Sequence, residues 1–352
     1  MLRSPNDERE RFLRFFFVRL STGLREYAAR VPRTDVVLAS SPGGHLELLG
    51  EIEDGYRDSD HVVVTAATPQ ADALAARGHR VEPLGDPRRP RLAVVRAVPG
   101  SWRLARRLRP RLVICTGAGL MAPFCFAARA LGARVVFVET MARVDTPSDS
   151  ARVVSRIAEC TLVQWEPLVS RLPRAELCRP ALLEGVGDRR APPGHGTFVS
   201  VGTHPTPFDR LLRSVDDASR AGILPRPLLA QIGPSSVRPA GDEVQATLTP
   251  TGVAERIERS AVVVCHAGAG IVSAALRAGR RPIVLPRRRR FGEHVDDHQV
   301  GMTAHMARLG LVISLDDHTM EEAVALAGEP PPVVSLPGMS LAERVRGLVA
   351  TA

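Results

Sequence analysis

The chain has 352 residues, of which 44% are hydrophobic and 24% charged, the proportions of an ordinary folded protein rather than a disordered tail or a disulfide scaffold. All 47 of its basic residues are arginine, so the formal charge of +9 reflects compositional bias as well as function. With only 4% aromatics and no arginine-rich stretch interleaved with stacking rings, nucleic acid is not expected as a partner.

The length suits two domains at roughly 150 residues each. Residues 10–28 set Phe12, Leu13, Phe15, Phe16, Phe17, Val18 and Leu20 among arginines. Segment 1–33 is thus too charged for a signal peptide and too short for a spanning helix, and it reads as amphipathic, suited to an anionic membrane surface. The expected location is cytoplasmic, peripheral on the inner face of the membrane. Five cysteines, Cys115, Cys125, Cys160, Cys178 and Cys265, show neither metal-site spacing nor an even count, which fits a reducing compartment.

From Thr34 onward short β-branched runs alternate with helical patterns. Strands are expected at Asp35–Ala39, His61–Ala66, Arg111–Cys115, Arg134–Glu139 and Cys160–Gln164, with helices near 45–57, 69–77, 101–108, 120–131 and 149–158. A cluster of Gly, Pro and charge at 185–196 reads as a linker. The pattern restarts with strands at Thr197–Val201, Pro227–Ile232, Ala261–Cys265, Pro282–Leu285 and Leu311–Ser314, separated by helices through 327. The expected fold class is α/β, two Rossmann-like domains at 34–184 and 197–352 facing a cleft at the carboxyl ends of their sheets.

The chemistry-bearing segments follow strands. In SSPGGHLELL (40–49), Gly43 and Gly44 allow a tight turn that delivers His45 to the mouth of the cleft. It is not GxGxxG, so no dinucleotide is indicated. Thr116 and Gly117 open a second small-residue turn, TGAG, and the strand ending at Glu139 leads to Arg143 in ETMARVD; both would line the same half of the cleft. In the second half Gly202 and Thr203 begin the loop VGTHPTPFD. CHAGAG (265–270) places His266, Gly268, Ala269 and Gly270 at a helix N-terminus, where bare N–H groups and the dipole favour a diphosphate. Each of these turns also has a plain structural reading as loop geometry or close packing.

FGEHVDDHQ (291–299) holds His294 and His298 four apart, but no HExxH and no third ligand fixed by spacing, so no metal is expected. Asp297 and Gln299 suit sugar hydroxyls. The preceding run Arg287–Arg290 has a solvated surface as its plain reading, and the triplet Asp58-Ser59-Asp60 precedes a strand, on the wrong edge for the cleft.

Together and in this order the segments resemble the two-part UDP-N-acetylglucosamine transferase of lipid-linked glycan synthesis, fused in one chain as in bacterial exopolysaccharide glycosyltransferases. SSPGGHLELL, TGAG, VFVETMARV and LVQWEPL are similar to the acceptor-side, membrane-recruiting part. VSVGTHPTPFDRLL, AQIG, CHAGAGIVSAALRAGRRPIVLPR and DDHQ are similar to the donor-binding part. The resemblance implies a GT-B glycosyltransferase fold, a UDP-sugar as substrate with no cofactor, a lipid-linked saccharide as acceptor, and inversion without a metal. It implies that His45 orients or deprotonates the acceptor hydroxyl, with Glu139 second as base. It further implies that Gly268, Ala269 and Gly270 hold the diphosphate while Asp297 and Gln299 face the donor sugar. Two positions depart from the family pattern: Ile271 and Ala274 stand where a Ser or Thr and a ribose-holding Glu are common. A degenerate, non-catalytic partner and a nucleotide-sugar epimerase are the competing readings.

Overall fold

A computed structural model describes residues 33–85, 90–117, 119–184, 186–187 and 191–352. The amphipathic segment expected over 10–28 lies outside the described residues, as does part of the expected linker. Strands and helices alternate as expected: β1 (Val36–Ser40), α1 (Gly44–Glu51), β2 (His61–Thr65), α2 (Pro69–Ala76), β3 (Arg80–Pro83), α3 (Pro90–Leu108), β4 (Leu112–Gly117), α4 (Ala122–Ala130), β5 (Arg134–Val138), α5 (Asp149–Val154), β6 (Cys160–Val163) and β7 (Ala175–Arg179). The second half runs β8 (Thr197–Ser200), α6 (Asp209–Arg220), β9 (Leu228–Gln231), β10 (Glu243–Gln245), α7 (Pro250–Arg259), β11 (Val262–His266), α8 (Ala269–Arg277), β12 (Ile283–Leu285), α9 (His298–Arg308), β13 (Ile313–Ser314) and α10 (Met320–Ala327). β14 (Met339–Ser340) and α11 (Leu341–Val349) close the chain.

Two all-parallel sheets result, with orders β14-β7-β6-β5-β4-β1-β2-β3 and β10-β9-β8-β11-β12-β13. Parallel sheets are covered on both faces, which is why β1, β4 and β11 read as nearly unbroken buried Val, Leu, Ile and Cys. Each sheet reverses its winding once. In the first, the chain winds outward from β1 to β3 and then returns to the other side of β1 as β4. In the second it winds from β8 to β10 and returns as β11. Such reversals leave a crevice at the strands' carboxyl ends, and both crevices here are filled by the turns singled out in the sequence.

One boundary is corrected. Residues 339–352 do not belong with the second sheet. Met339 and Ser340 pair with Cys178 and Arg179 of β7, and α11 packs Leu341, Val345 and Leu348 onto the first half's core beside Ile52 and Tyr56. The helix carries a capping box between Ser340 and Glu343, and Arg344 forks onto Glu176 at 2.7 and 3.2 Å.

Candidate active site

The reversal of the first sheet holds His45. At the end of β4, Gly117 has φ +103°, and a Cβ there would lie 2.9 Å from His45 Cε1, so glycine is needed both for the backbone and for the ring. The imidazole Nδ1 is 2.6 Å from the Thr116 carbonyl. A carbonyl only accepts, so Nδ1 carries the proton and Nε2 is left as the basic nitrogen. The Thr116 hydroxyl lies 2.9 Å from both the Ser40 hydroxyl and the His45 carbonyl, tying the ends of β1 and β4 to the first turn of α1. Gly43 donates its N–H to Gln70 Oε1 at 2.7 Å, and Gly44 is exposed. Burial lowers the His45 pKa, the Thr116 bond opposes that, and the Arg143 cation adds to the lowering; the ring is neutral at pH 7.

Glu139, the second residue expected as a base, lies at the end of β5 facing the loop that follows it. Its side chain is fully buried, with one oxygen accepting from Thr140 N–H at 3.0 Å and the other from Ser148 N–H at 2.8 Å. Burial raises its pKa against those bonds. A buried carboxylate engaged on both oxygens organises the 140–148 loop. That loop presents Arg143.

The second sheet repeats the construction. His266, at the end of β11, is wedged between two glycines. A Cβ on Gly202 (φ +76°) would lie 2.4 Å from the ring, and one on Gly268 would lie 2.2 Å from it. Burial, followed by the Arg287 cation, lowers its pKa to about 3, so it is a neutral packing element. Gly268 is therefore small because of His266, which gives the close-packing reading of this turn a named partner. Thr203 is exposed beside Gly202. Gly268 caps α8, with Ala269 and Gly270 in its first turn.

Arg287 is the residue most misread from sequence, because it stands first in a run of four arginines yet is fully buried. Its guanidinium donates to the carbonyls of Thr206 (2.9 Å), Val201 (2.9 Å), Pro207 (3.2 Å) and Glu293 (3.2 Å), stapling the loop after β8 to the loop after β12. Burial lowers its pKa to about 10, which leaves it charged at neutral pH. Glu293, also buried, receives a two-point contact from Arg210 at 2.8 and 3.0 Å and the Arg288 N–H at 2.9 Å.

The halves meet where these turns converge. Arg143 Nη2 is 2.5 Å from Asp296 Oδ2, and Asp296 Oδ1 is 2.5 Å from His298 Nδ1 and 3.3 Å from His294 Nδ1. Although burial alone would raise it, the bonds from His298 and Arg143 hold the Asp296 carboxyl far below the usual carboxylate range. Asp296, not its neighbour Asp297, is thus the carboxylate that joins the two halves. Asp297 is exposed and accepts from Arg289 N–H at 2.8 Å, while Gln299 is buried and accepts from Arg287 N–H at 3.1 Å. Both side chains make bonds that build the loop after β12, to the N–H groups of Arg289 and Arg287. His294, Asp296 and His298 offer ligand atoms within 4.8 Å of one another, the third group that sequence spacing alone did not supply; here the carboxylate is met by Arg143 and His298 instead.

Beside this bridge, Glu47 of α1 rests on the first turn of α8. A Cβ on Gly270 would lie 2.3 Å from Glu47 Oε2. One turn on, Ser273 donates to Glu51 at 3.3 Å. Burial raises the pKa of both acids, against the attraction of Arg277.

Comparison with known proteins divides the chain at the same place. Residues 91–180 match the family described as Oligosaccharide biosynthesis protein Alg14 like, and residues 198–328 match the Glycosyltransferase family 28 C-terminal domain. The chain is a fused two-part glycosyltransferase. The UDP-N-acetylglucosamine transferase subunit ALG14 of Rattus norvegicus is 26% identical over 191 residues, covering 45% of this chain and 88% of that protein. The human subunit is 33% identical over 81 residues, 21% of this chain and 38% of its own. Among solved structures, MurG from Acinetobacter baumannii superposes with a TM-score of 0.62 at 17% identity, covering 91% of this chain and all of that one. UDP-GlcNAc 2-epimerase from Neisseria meningitidis gives 0.55 at 11% identity over 90% of this chain and 99% of its own. These two share the GT-B fold with the present enzyme. The first matched segment carries Arg143 and the second carries His266 and Asp296, while His45 precedes the first matched range.

Proposed function

We propose that the enzyme moves a sugar, N-acetylglucosamine or a related hexose or uronate, from a UDP-sugar to a lipid-linked saccharide acceptor in polysaccharide synthesis, with inversion and without a metal. The observation that carries this reading is the contact between α1 and α8. It brings the proton-free Nε2 of the His45 turn and the N-terminus of α8 to the same cleft, one suited to an acceptor hydroxyl and the other to a departing diphosphate. His45, Gly43, Gly44, Thr116, Gly117 and Arg143 form the acceptor side. Gly202, Thr203, His266, Gly268, Ala269 and Gly270 shape the donor side, with Asp297 and Gln299 holding the loop that closes over the sugar.

In the reaction the acceptor oxygen attacks the anomeric carbon as the diphosphate leaves on the opposite side. The helix dipole and its free N–H groups offset the growing negative charge. Ile271 and Ala274 pack against the apolar cluster around Phe198 and Val263, so ribose must be held by other groups than a Glu at 274.

No helix among the described residues is long and apolar enough to cross a membrane. Recruitment to the cytoplasmic membrane surface by segment 10–28 supplies the lipid acceptor in this reading. The test is release of UDP from a panel of UDP-sugars with and without membrane lipid extract. Lipid-dependent release that survives chelation by EDTA supports transfer. Lipid-independent isomer formation points to an epimerase, and UDP binding without either product points to a degenerate partner.

A further inference from the structure

His45 of the acceptor half and His298 of the donor half differ in the groups that hold their Nδ1 atoms. His45 is held by a neutral carbonyl at 2.6 Å, whereas His298 is held by the Asp296 carboxylate at 2.5 Å. Either arrangement leaves Nε2 to accept a proton, but the consequences of accepting one differ. An imidazolium at 45 would meet only a carbonyl dipole with the Arg143 cation nearby. At 298 it would gain a charge-assisted bond to a carboxylate, the arrangement that stabilises a protonated histidine in hydrolytic triads. Arg143 takes the second Asp296 oxygen at 2.5 Å, so the carboxylate is fixed from both halves of the molecule.

We infer that His298 is the base that removes the acceptor hydroxyl proton, that Asp296 is its positioning residue, and that His45 orients the hydroxyl. This rests on the glycosyl-transfer reading above. The acceptor O–H bond breaks and its proton passes to His298 Nε2. The acceptor oxygen bonds to the anomeric carbon, and the bond from that carbon to the diphosphate breaks with its electron pair staying on the diphosphate.

The titratable and charged groups around His298 are Asp296 and His294 on its own loop and Arg143 and His45 from the acceptor half, with His204 and Arg287 behind His294. Burial, Arg143 and His45 push the His298 pKa down and Asp296 pulls it up. The net is downward, so the ring is neutral and ready at pH 7.

The experiment measures lipid-dependent UDP release against pH, together with UDP affinity by calorimetry. His298→Ala should lower kcat by about 10²- to 10⁴-fold, leave the UDP Kd within about threefold, and recover in part with free imidazole. His298→Gln serves if the alanine variant does not fold. In Asp296→Asn the acid limb of kcat should move to lower pH, because the group that raises the His298 pKa is gone. His45→Ala should lose less and show no imidazole recovery. Near-normal turnover in both His298 variants, or imidazole recovery in His45→Ala alone, overturns the inference while leaving glycosyl transfer intact. Absence of lipid-dependent release by the wild-type protein overturns both.

Discussion

Arg143 and Asp296 stand 153 positions apart and form a partly buried ion pair at 2.5 Å, each on a loop that follows a strand of a different sheet. We expect the pair to help set how closely the acceptor half approaches the donor half. Arg143→Met keeps most of the apolar stem and removes the guanidinium with its charge. We expect kcat/KM to fall about 10- to 100-fold through misplacement of the two sides, with a larger radius of gyration in solution scattering. Because the Asp296 pKa is depressed in the folded state, the stabilisation from this pair is present above its unfolded pKa near 3.9 and is lost only as pH falls through the depressed value. Opening of the cleft should therefore be insensitive to pH between about 5 and 8. An unchanged radius and rate in the variant would remove the pair from control of closure.

How the halves would face each other was legible in part. The βα alternation named ten strands, and all ten form within a residue or two of their expected bounds. The four it missed, β3, β7, β10 and β14, are short or polar: RVEP, AELCR, EVQ and MS carry too few β-branched residues to signal a buried strand. The crossing of residues 339–352 to the first sheet was invisible because periodicity reports that an element is amphipathic, not which core it covers. The capping box Ser340-Leu341-Ala342-Glu343 was a readable helix start.

At the site the small residues were legible and their reasons were not. Gly268 and Gly270 read as clearance for a diphosphate, yet in the fold they also clear His266 and Glu47. Asp296 was passed over for Asp297 because adjacent acids look alike in sequence, and only the turn at 292–297 decides which one points to Arg143.

The wedge around His266 predicts a specific double-mutant cycle. Gly268→Ala sets a Cβ 2.2 Å from a ring that is itself confined by Gly202, so relief must come from backbone movement. We expect a loss of about 1–3 kcal/mol, the usual cost of overpacking. His266→Ala in the same chain should recover most of it, since the methyl then has room. Equal and additive losses in urea unfolding would show that the ring is not the obstacle.

Glu47 presents a carboxylate to the helix end at which the donor diphosphate is proposed to bind. The two anions oppose each other, so the donor must displace or protonate Glu47. Glu47→Gln should tighten UDP binding several-fold in calorimetry and weaken its dependence on pH, because the amide is neutral at every pH whereas the carboxyl, its pKa raised by burial, is neutral only when protonated. Weaker UDP binding in the variant would instead make Glu47 a contact to the donor.

The C-terminal crossover gives the firmest expectation for stability. Removing residues 338–352 strips β14 from β7, exposes the pocket that Leu341, Val345 and Leu348 fill, and deletes the Arg344 fork to Glu176. All three apolar side chains are almost fully buried. At about 1.5–3 kcal/mol each, the loss is roughly 5–9 kcal/mol, comparable with the whole stability of a typical domain. The acceptor half should therefore unfold while the donor half, whose sheet is complete without this segment, keeps a thermal transition of its own. Differential scanning calorimetry resolves the two cases. One transition lost and one retained is the expected pattern, whereas a truncated chain that melts as the full one does would mean that the returning strand and helix contribute little to holding the first sheet.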